Sequence, residues 1–154
     1  VGNQLAGGDA AMNGYRVGYP EKTTAWQVLN FEYEELENDH LLDDVARFLG
    51  MPKSGHYNWP SVLEAFRSKY GDAPGEWVCP TLRDAITYYG DYYGSGTEIL
   101  QVSYDPKNVV SDLGADGRFV VNPESTREIG QDLLAPVKGL LAKAARSYHQ
   151  RYDR

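Results

Sequence analysis

The stretch GEWVCPTLRDAITYYGDYYG, residues 75–94, decides how the chain is read. EWVCP has the aromatic and β-branched content of a short strand, Pro80 closes it, and LRDAITYY follows with helical spacing. Thr81 stands where an N-cap belongs, and Asp84, three residues on, imitates the acidic arm of a capping box. The free backbone N–H groups of such a helix start also attract anions. Tyr88 and Tyr89 precede Gly90, and Tyr92 and Tyr93 precede Gly94. A short helix buries only part of that aromatic area, so the remainder is expected on a recognition surface.

The rest of the second half keeps strand character. In TEILQVSYDP (97–106), Ile99 and Gln101 share one face, while Leu100, Val102 and Tyr104 mark the other. KNVVSDLGADG (107–117) ends a strand in a turn, and RFVVNP (118–123) is a strand stopped by Pro123. STREIGQDLLAPVKGLLAKAARSYHQRY (125–152) is expected to be mostly helical, with Ser125 as cap, Glu128 completing a capping box and Pro136 marking a kink.

The first half reads as helical. Leu36, Leu41, Leu42, Val45, Phe48 and Leu49 predict one helix over Tyr33–Leu49, stopped by Gly50 and Pro52. NWPSVLEAFRSKYG (58–71) predicts another, capped by Asn58, with Pro60 in its first turn and Gly71 at its end. YRVGYP (15–20) reads as a short strand closed by Pro20, and TAWQVLNFEY (24–33) accommodates either a strand or a helix start. The small, glycine-rich VGNQLAGGDAAMNG reads as a flexible leader over residues 1–13, followed by a single α+β domain over 14–154.

At 154 residues with a net charge of −7, the chain is large enough for its own core and too acidic to favour phosphate backbones. Contact with nucleic acid is therefore not expected, except through the basic tail KGLLAKAARSYHQRYDR (138–154). The single cysteine, Cys79, rules out an intramolecular disulfide and reads as a small buried strand residue. The three histidines, His40, His56 and His149, match no ligand spacing, so no metal is expected. No apolar run approaches the roughly 18 residues of a membrane span, which implies a soluble protein, cytoplasmic or a secreted effector.

The series YRVG, GEWVCPTLRDAITYYG, EILQVSYDPKNVV and RFVVNP resembles the strand series of the ADP-ribosyltransferase fold, the family of toxin transferases and poly-ADP-ribose polymerases. In that family an early strand carries a His or Arg that holds NAD. A middle strand carries an aromatic or Ser-Thr-Ser element before a helix with a small residue and a tyrosine, and a late strand carries a Glu. The resemblance thus implies a small split sheet, mixed or antiparallel, with a helical insertion and a C-terminal helix, and NAD as substrate, bound by Arg16 with Tyr15 beside it. It puts Trp77 against nicotinamide, Thr81 near the hydroxyl element, and Tyr88 and Tyr89 on the tyrosine helix beside the small Ala85. The late-strand Glu position holds Arg118, so Asp116 or Glu124 is left to stabilise the ribosyl cation.

The expected function is that of an NAD-dependent mono-ADP-ribosyltransferase-like protein, a toxin, effector or phage-type modifier with a protein target. The alternative is a non-catalytic protein-binding or inhibitor module that uses the acidic run EYEELENDHLLDD (32–44) and the tyrosine patch. Each site residue also has a plainer reading: Arg16 as a surface charge, Trp77 as a core anchor, Asp116 as a turn residue and Glu124 as a helix-entry charge.

Overall fold

A computed structural model describes residues 11–36, 39–52, 55–94 and 96–152. The leader read over residues 1–13 lies outside the described residues as far as residue 10, and the first strand, β1 (Met12–Gly18), already begins two residues before the expected domain start.

The segment TAWQVLNFEY resolves as helix: α1 spans Ala25–Leu36, and its Ala25 and Leu29, four residues apart, are fully buried. The helix expected over Tyr33–Leu49 is seen as the end of α1 and as α2 (Asp39–Phe48), whose Leu41 and Val45 are buried four residues apart; residues 37–38 between them lie outside the described residues. Helix α3 (Trp59–Tyr70) follows as expected: the Asn58 carboxamide oxygen accepts from the Ser61 N–H at 3.0 Å, and Gly71 ends the helix at φ 57°.

Then come β2 (Gly75–Val78), α4 (Leu82–Tyr89), β3 (Glu98–Tyr104), β4 (Val109–Asp112) and β5 (Arg118–Val121). Ser125–Glu128, expected to open a helix, is instead a strand, β6, paired with Leu100–Ser103 of β3. Ladder hydrogen bonds to the open edge of β3 outweigh the local capping-box signal, because apolar helical spacing only begins at Ile129. The short helix α5 (Gln131–Leu134) and the longer α6 (Lys138–Tyr152) follow, joined through a 3₁₀ turn that contains Pro136.

The strands form two three-stranded antiparallel sheets, ordered β1-β3-β6 and β2-β5-β4. They meet at one isolated bridge, where the Tyr15 N–H donates to the Cys79 carbonyl at 2.8 Å and the Cys79 N–H donates back at 2.7 Å. The lateral order is therefore β4-β5-β2-β1-β3-β6, split between β2 and β1. The fold is α+β, with α1–α3 inserted between the first strands of the two sheets.

Among the described residues, three buried clusters hold these layers. Helices α1–α3 pack on Val110, Phe119 and Val121, with Tyr33 stacked on Trp59 at 4.5 Å. Val78, Val102, Tyr104 and Val120 fill the space between the sheets, and Ile86 and Ile99 pack with Leu141 of α6. Each fully buried side chain of this size contributes roughly 1.5–3 kcal/mol of transfer free energy. Among the described residues, no helix is long and apolar enough to cross a membrane.

The bridge requires glycine beside it. A Cβ at Gly14 would lie 2.7 Å from Val78 Cγ2 and 3.1 Å from the Cys79 carbonyl oxygen, so a side chain there forces the sheets apart. Gly14→Ala is expected to cost about 1–3 kcal/mol, read as a fall in thermal midpoint of roughly 2–4 °C per kcal/mol. Gly139→Ala, on α6 with open space around it, is expected to raise stability by up to about 1 kcal/mol. Equal effects of the two substitutions would contradict the packing described at the bridge.

Candidate functional site

Because β1 and β2 pair only at Tyr15 and Cys79, a cleft of about 540 Å³ opens beside the bridge. Arg16 of β1, Trp77 of β2, Tyr89 of α4 and Asp116 of the β4–β5 turn all line it. These come from four separate segments, brought together by the split. At Arg16, Val17 and Thr23 the cleft meets a second one of about 700 Å³, whose walls include Tyr19, Tyr92 and Tyr93.

Arg16 is held rather than loose. Its Nε donates to Glu76 Oε1 at 3.0 Å and its Nη2 to the Tyr19 carbonyl at 2.8 Å. The Arg16 side chain is 17% exposed and the Glu76 side chain 7%, and Thr126 Oγ1 donates to the same carboxylate oxygen at 3.4 Å. The plainer reading of Arg16 as a surface charge therefore does not hold. A largely buried carboxylate fixes the guanidinium and leaves Nη1 without a protein partner among the described residues.

Trp77 packs edge-on against Phe119, with ring centroids 5.3 Å apart, so it anchors core and cleft wall together. Its Nε1–H is shielded from water and has no hydrogen-bond partner among the described residues. An unmatched buried donor is costly, and such groups mark places where the fold is not optimised for its own stability.

The turn that carries Asp116 is pinned from two sides. Tyr89 Oη donates to the Asp116 carbonyl at 3.1 Å, and Cys79 Sγ donates to the same oxygen at 3.7 Å. Burial pushes the Cys79 thiol up to about 11, aided by the charges of Asp84 and Asp116. Tyr89 is raised as well, first by burial and then by the charges around it, including Cys79, Asp116 and Glu32. Cys79 is thus a neutral, inert wall residue.

Four of the expected site residues lie elsewhere. Tyr15 points to the other face of its strand, where Gln101 Nε2 donates to its hydroxyl at 3.1 Å and Arg127 in turn donates to Gln101 at 2.7 Å. Thr81 is the α4 cap, its Oγ1 accepting from the Asp84 N–H at 3.0 Å, and Tyr88 is exposed away from the cleft. Glu124 does not line the cleft: its backbone N–H donates to the Ser103 carbonyl at 2.8 Å, ahead of β6, so it is not the helix-entry charge of the plainer reading. Arg118, at the start of β5, donates to Asp112 Oδ2 at 3.0 Å and to the Tyr104 hydroxyl at 3.3 Å.

Two acidic residues not assigned to the NAD site from the sequence line the cleft, Glu76 of β2 and Glu32 of α1, the latter being the first residue of the acidic run. Glu76 had a signal, a lone carboxylate inside a four-residue strand between Gly75 and Trp77. Glu32 sits four residues after Val28, and both line the cleft; that face becomes legible only once the segment is known to be helical. Burial raises the Glu32 carboxyl above its ordinary value, and the neighbouring Glu35 charge adds to the rise. Among the described residues, no group of three or more His, Cys, Asp or Glu side chains is placed to hold a metal.

Glu76→Ala leaves the Arg16 guanidinium buried without its counter-charge and is expected to cost about 3 kcal/mol, measured by urea unfolding, with Glu76→Gln losing less. Cys79, with about one thiol in a thousand ionised at pH 8, is expected to resist iodoacetamide in the folded protein and react readily once unfolded. Equal rates in the two states would mean the thiol is not enclosed as described.

Comparison with protein-family models, with curated proteins and with solved structures found no match, so the functional reading rests on the chemistry of the cleft.

Proposed function

We propose that the paired clefts bind NAD and that the protein is a mono-ADP-ribosyltransferase acting on a protein target. The observation that carries this reading is the meeting of Arg16 and Trp77, from strands of different sheets, with Asp116 in one cleft that continues at Arg16 into a tyrosine-walled one. NAD has the same layout: two flat ring systems at the ends and a pyrophosphate between them.

Arg16 stands at the junction with Nη1 uncommitted, and a planar, permanently charged fork suits a pyrophosphate. Trp77 offers nicotinamide an indole wall, and Tyr19, Tyr92 and Tyr93 offer the adenine aromatic edges and faces. Each cleft falls within the usual size of small-molecule sites, roughly 300–1,000 Å³. As nicotinamide leaves, positive charge grows on the ribose, and the Asp116 carboxylate is the anion on the cleft turn that meets it. In this reading Arg118, tied to Asp112 and Tyr104, takes no part.

One observation favours a second reading, a non-catalytic module that binds a protein through its aromatic surface. Tyr88, Tyr89, Tyr92 and Tyr93 remain 39–59% exposed along one turn and a half of chain, more than a small-molecule site requires.

The purified protein is expected to release nicotinamide from NAD. Arg16→Ala removes a charge-assisted contact and is expected to weaken NAD binding about 10- to 100-fold, while Arg16→Lys, which keeps the charge but loses the fork, falls between. Calorimetry and nicotinamide release measure both. Absence of binding and release in the wild-type protein would overturn the transferase reading and leave the aromatic surface as the functional feature.

A further inference from the structure

We propose that Glu32 is the general base of the transfer, taking the proton from the acceptor nucleophile as that nucleophile attacks the ribosyl carbon from the α1 side of the cleft. The assignment rests on reading the cleft as an NAD-dependent transferase site.

The position of Glu32 follows from how α1 is docked. The Thr23 hydroxyl donates to the Gly75 carbonyl at 2.7 Å, the Gly75 N–H donates to the Thr23 carbonyl at 3.0 Å, and the Ala25 N–H donates to the Ala73 carbonyl at 2.8 Å. The approach is close enough that a Cβ on Gly75 would lie 2.6 Å from Ala25 Cβ. With the helix start clamped to β2, helical spacing sends Ala25 and Leu29 into the core and Val28 with Glu32 onto the cleft wall.

The cleft then holds two carboxylates suited to the reaction that are not already committed to an ion pair, and their surroundings differ. Asp116 stands on an exposed turn between β4 and β5, whereas Glu32 is half-buried on a helix. Glu76, the third, is engaged by Arg16. Carboxylates kept in unlike environments divide labour: the exposed one meets the growing positive charge, and the one withdrawn from water takes the proton. The titratable and charged groups that face Glu32 are Arg16, Glu76, Cys79, Tyr89 and Asp116 across the cleft, and Glu35 on its own helix. Burial and Glu35 both raise its carboxyl, which moves it toward the operating pH of a general base.

The step balances without a further reactant. The bond from the ribosyl carbon to the nicotinamide nitrogen breaks and both electrons leave with the nitrogen, giving neutral nicotinamide. A lone pair of the acceptor, a hydroxyl or water oxygen, forms the new bond to that carbon. The acceptor's proton passes to the Glu32 carboxylate and from there to solvent.

The test follows nicotinamide and ADP-ribose formation from NAD, with water as acceptor, across pH 4–9. Below the Glu32 pKa the carboxyl is protonated and cannot accept a proton, so the wild-type rate is expected to fall on the acid side. Glu32→Gln is expected to lower kcat roughly 10²- to 10⁴-fold and to abolish that acid limb, with NAD affinity nearly unchanged. Glu32→Asp is expected to recover part of the rate. Glu35→Gln removes a charge that raises Glu32, so its acid limb is expected to move to lower pH while persisting.

Folding does not confound the comparison, because ionised Glu32 is disfavoured by burial. Its raised carboxyl makes a contribution to stability that is present below the ordinary value of 4.5 and lost as pH rises through the folded value, so the Gln protein is expected to be at least as stable as wild type at pH 7. Wild-type cleavage left intact, acid limb included, in Glu32→Gln would overturn the assignment and spare the transferase reading. Absence of NAD binding and cleavage in the wild-type protein would overturn both.

Discussion

Two backbone hydrogen bonds between Tyr15 and Cys79, at 2.8 and 2.7 Å, join sheets that otherwise pair only within themselves. Nearly every feature of the cleft depends on that seam being so short. A longer ladder between β1 and β2 would zip the sheets into one and close the gap that Arg16 and Trp77 line. No seam at all would leave Val78 and Val102 without a fixed relation, since these residues bury each other across the joint. Gly14 lets the backbones come near enough for the bonds to form, and the buried valines give the joint its free energy, because two hydrogen bonds alone are worth only about 1–3 kcal/mol net.

The seam also explains why a buried ion pair is tolerated beside it. Arg16 follows the bridge residue on β1, so its side chain leaves the opposite face of the strand and enters the split, where water is mostly excluded. An unpaired guanidinium there would be expensive, and Glu76, on the strand across the split, cancels the charge. A hydrophobic pair of the same volume would serve stability as well or better. What the ion pair adds is a cation with a fixed direction on the lining shared by two clefts, and beside it the Trp77 indole N–H has no partner among the described residues. Both are stability costs, and they lie on the same cleft wall.

Much of the frame was legible because its signals are local. Asn58, Thr81 and Gly71 mark helix ends through bonds made within three or four residues, and the structure places a helix boundary at each. The strand character of EWV, EILQVSY and RFVV rests on side-chain types that suit a pleated surface. What failed was non-local. β6 exists because β3 offers it an unpaired edge about 25 residues back, which no property of STRE announces. In the site, Arg16, Trp77, Tyr89 and Asp116 were singled out from short strand and turn motifs and do share a cleft, whereas Thr81 proved to be fully explained by its cap. Glu32 and Glu76 stayed hidden because a carboxylate on a helix face or in a strand acquires meaning only when its neighbours in space are known.

The inserted helices tie these points together. Packed on Phe119 and Val121, they cover one face of the β2-β5-β4 sheet, and they also carry the wall of the cleft that the strands do not provide. Strand β5 opens with Arg118, which the Asp112 carboxylate and the Tyr104 hydroxyl hold at that end of the sheet. Negative charge enters the cleft from the turn before β5, from α1 and, paired with Arg16, from Glu76 of β2. A carboxylate on a helix is free of the alternation that binds strand residues to one face. Its height above the sheet is then set by helix docking, here by the Thr23–Gly75 clamp. A change in the clamp would shift Glu32 relative to Trp77 without touching either residue, so the geometry of the cleft is governed from a loop that contributes only Thr23 to its lining.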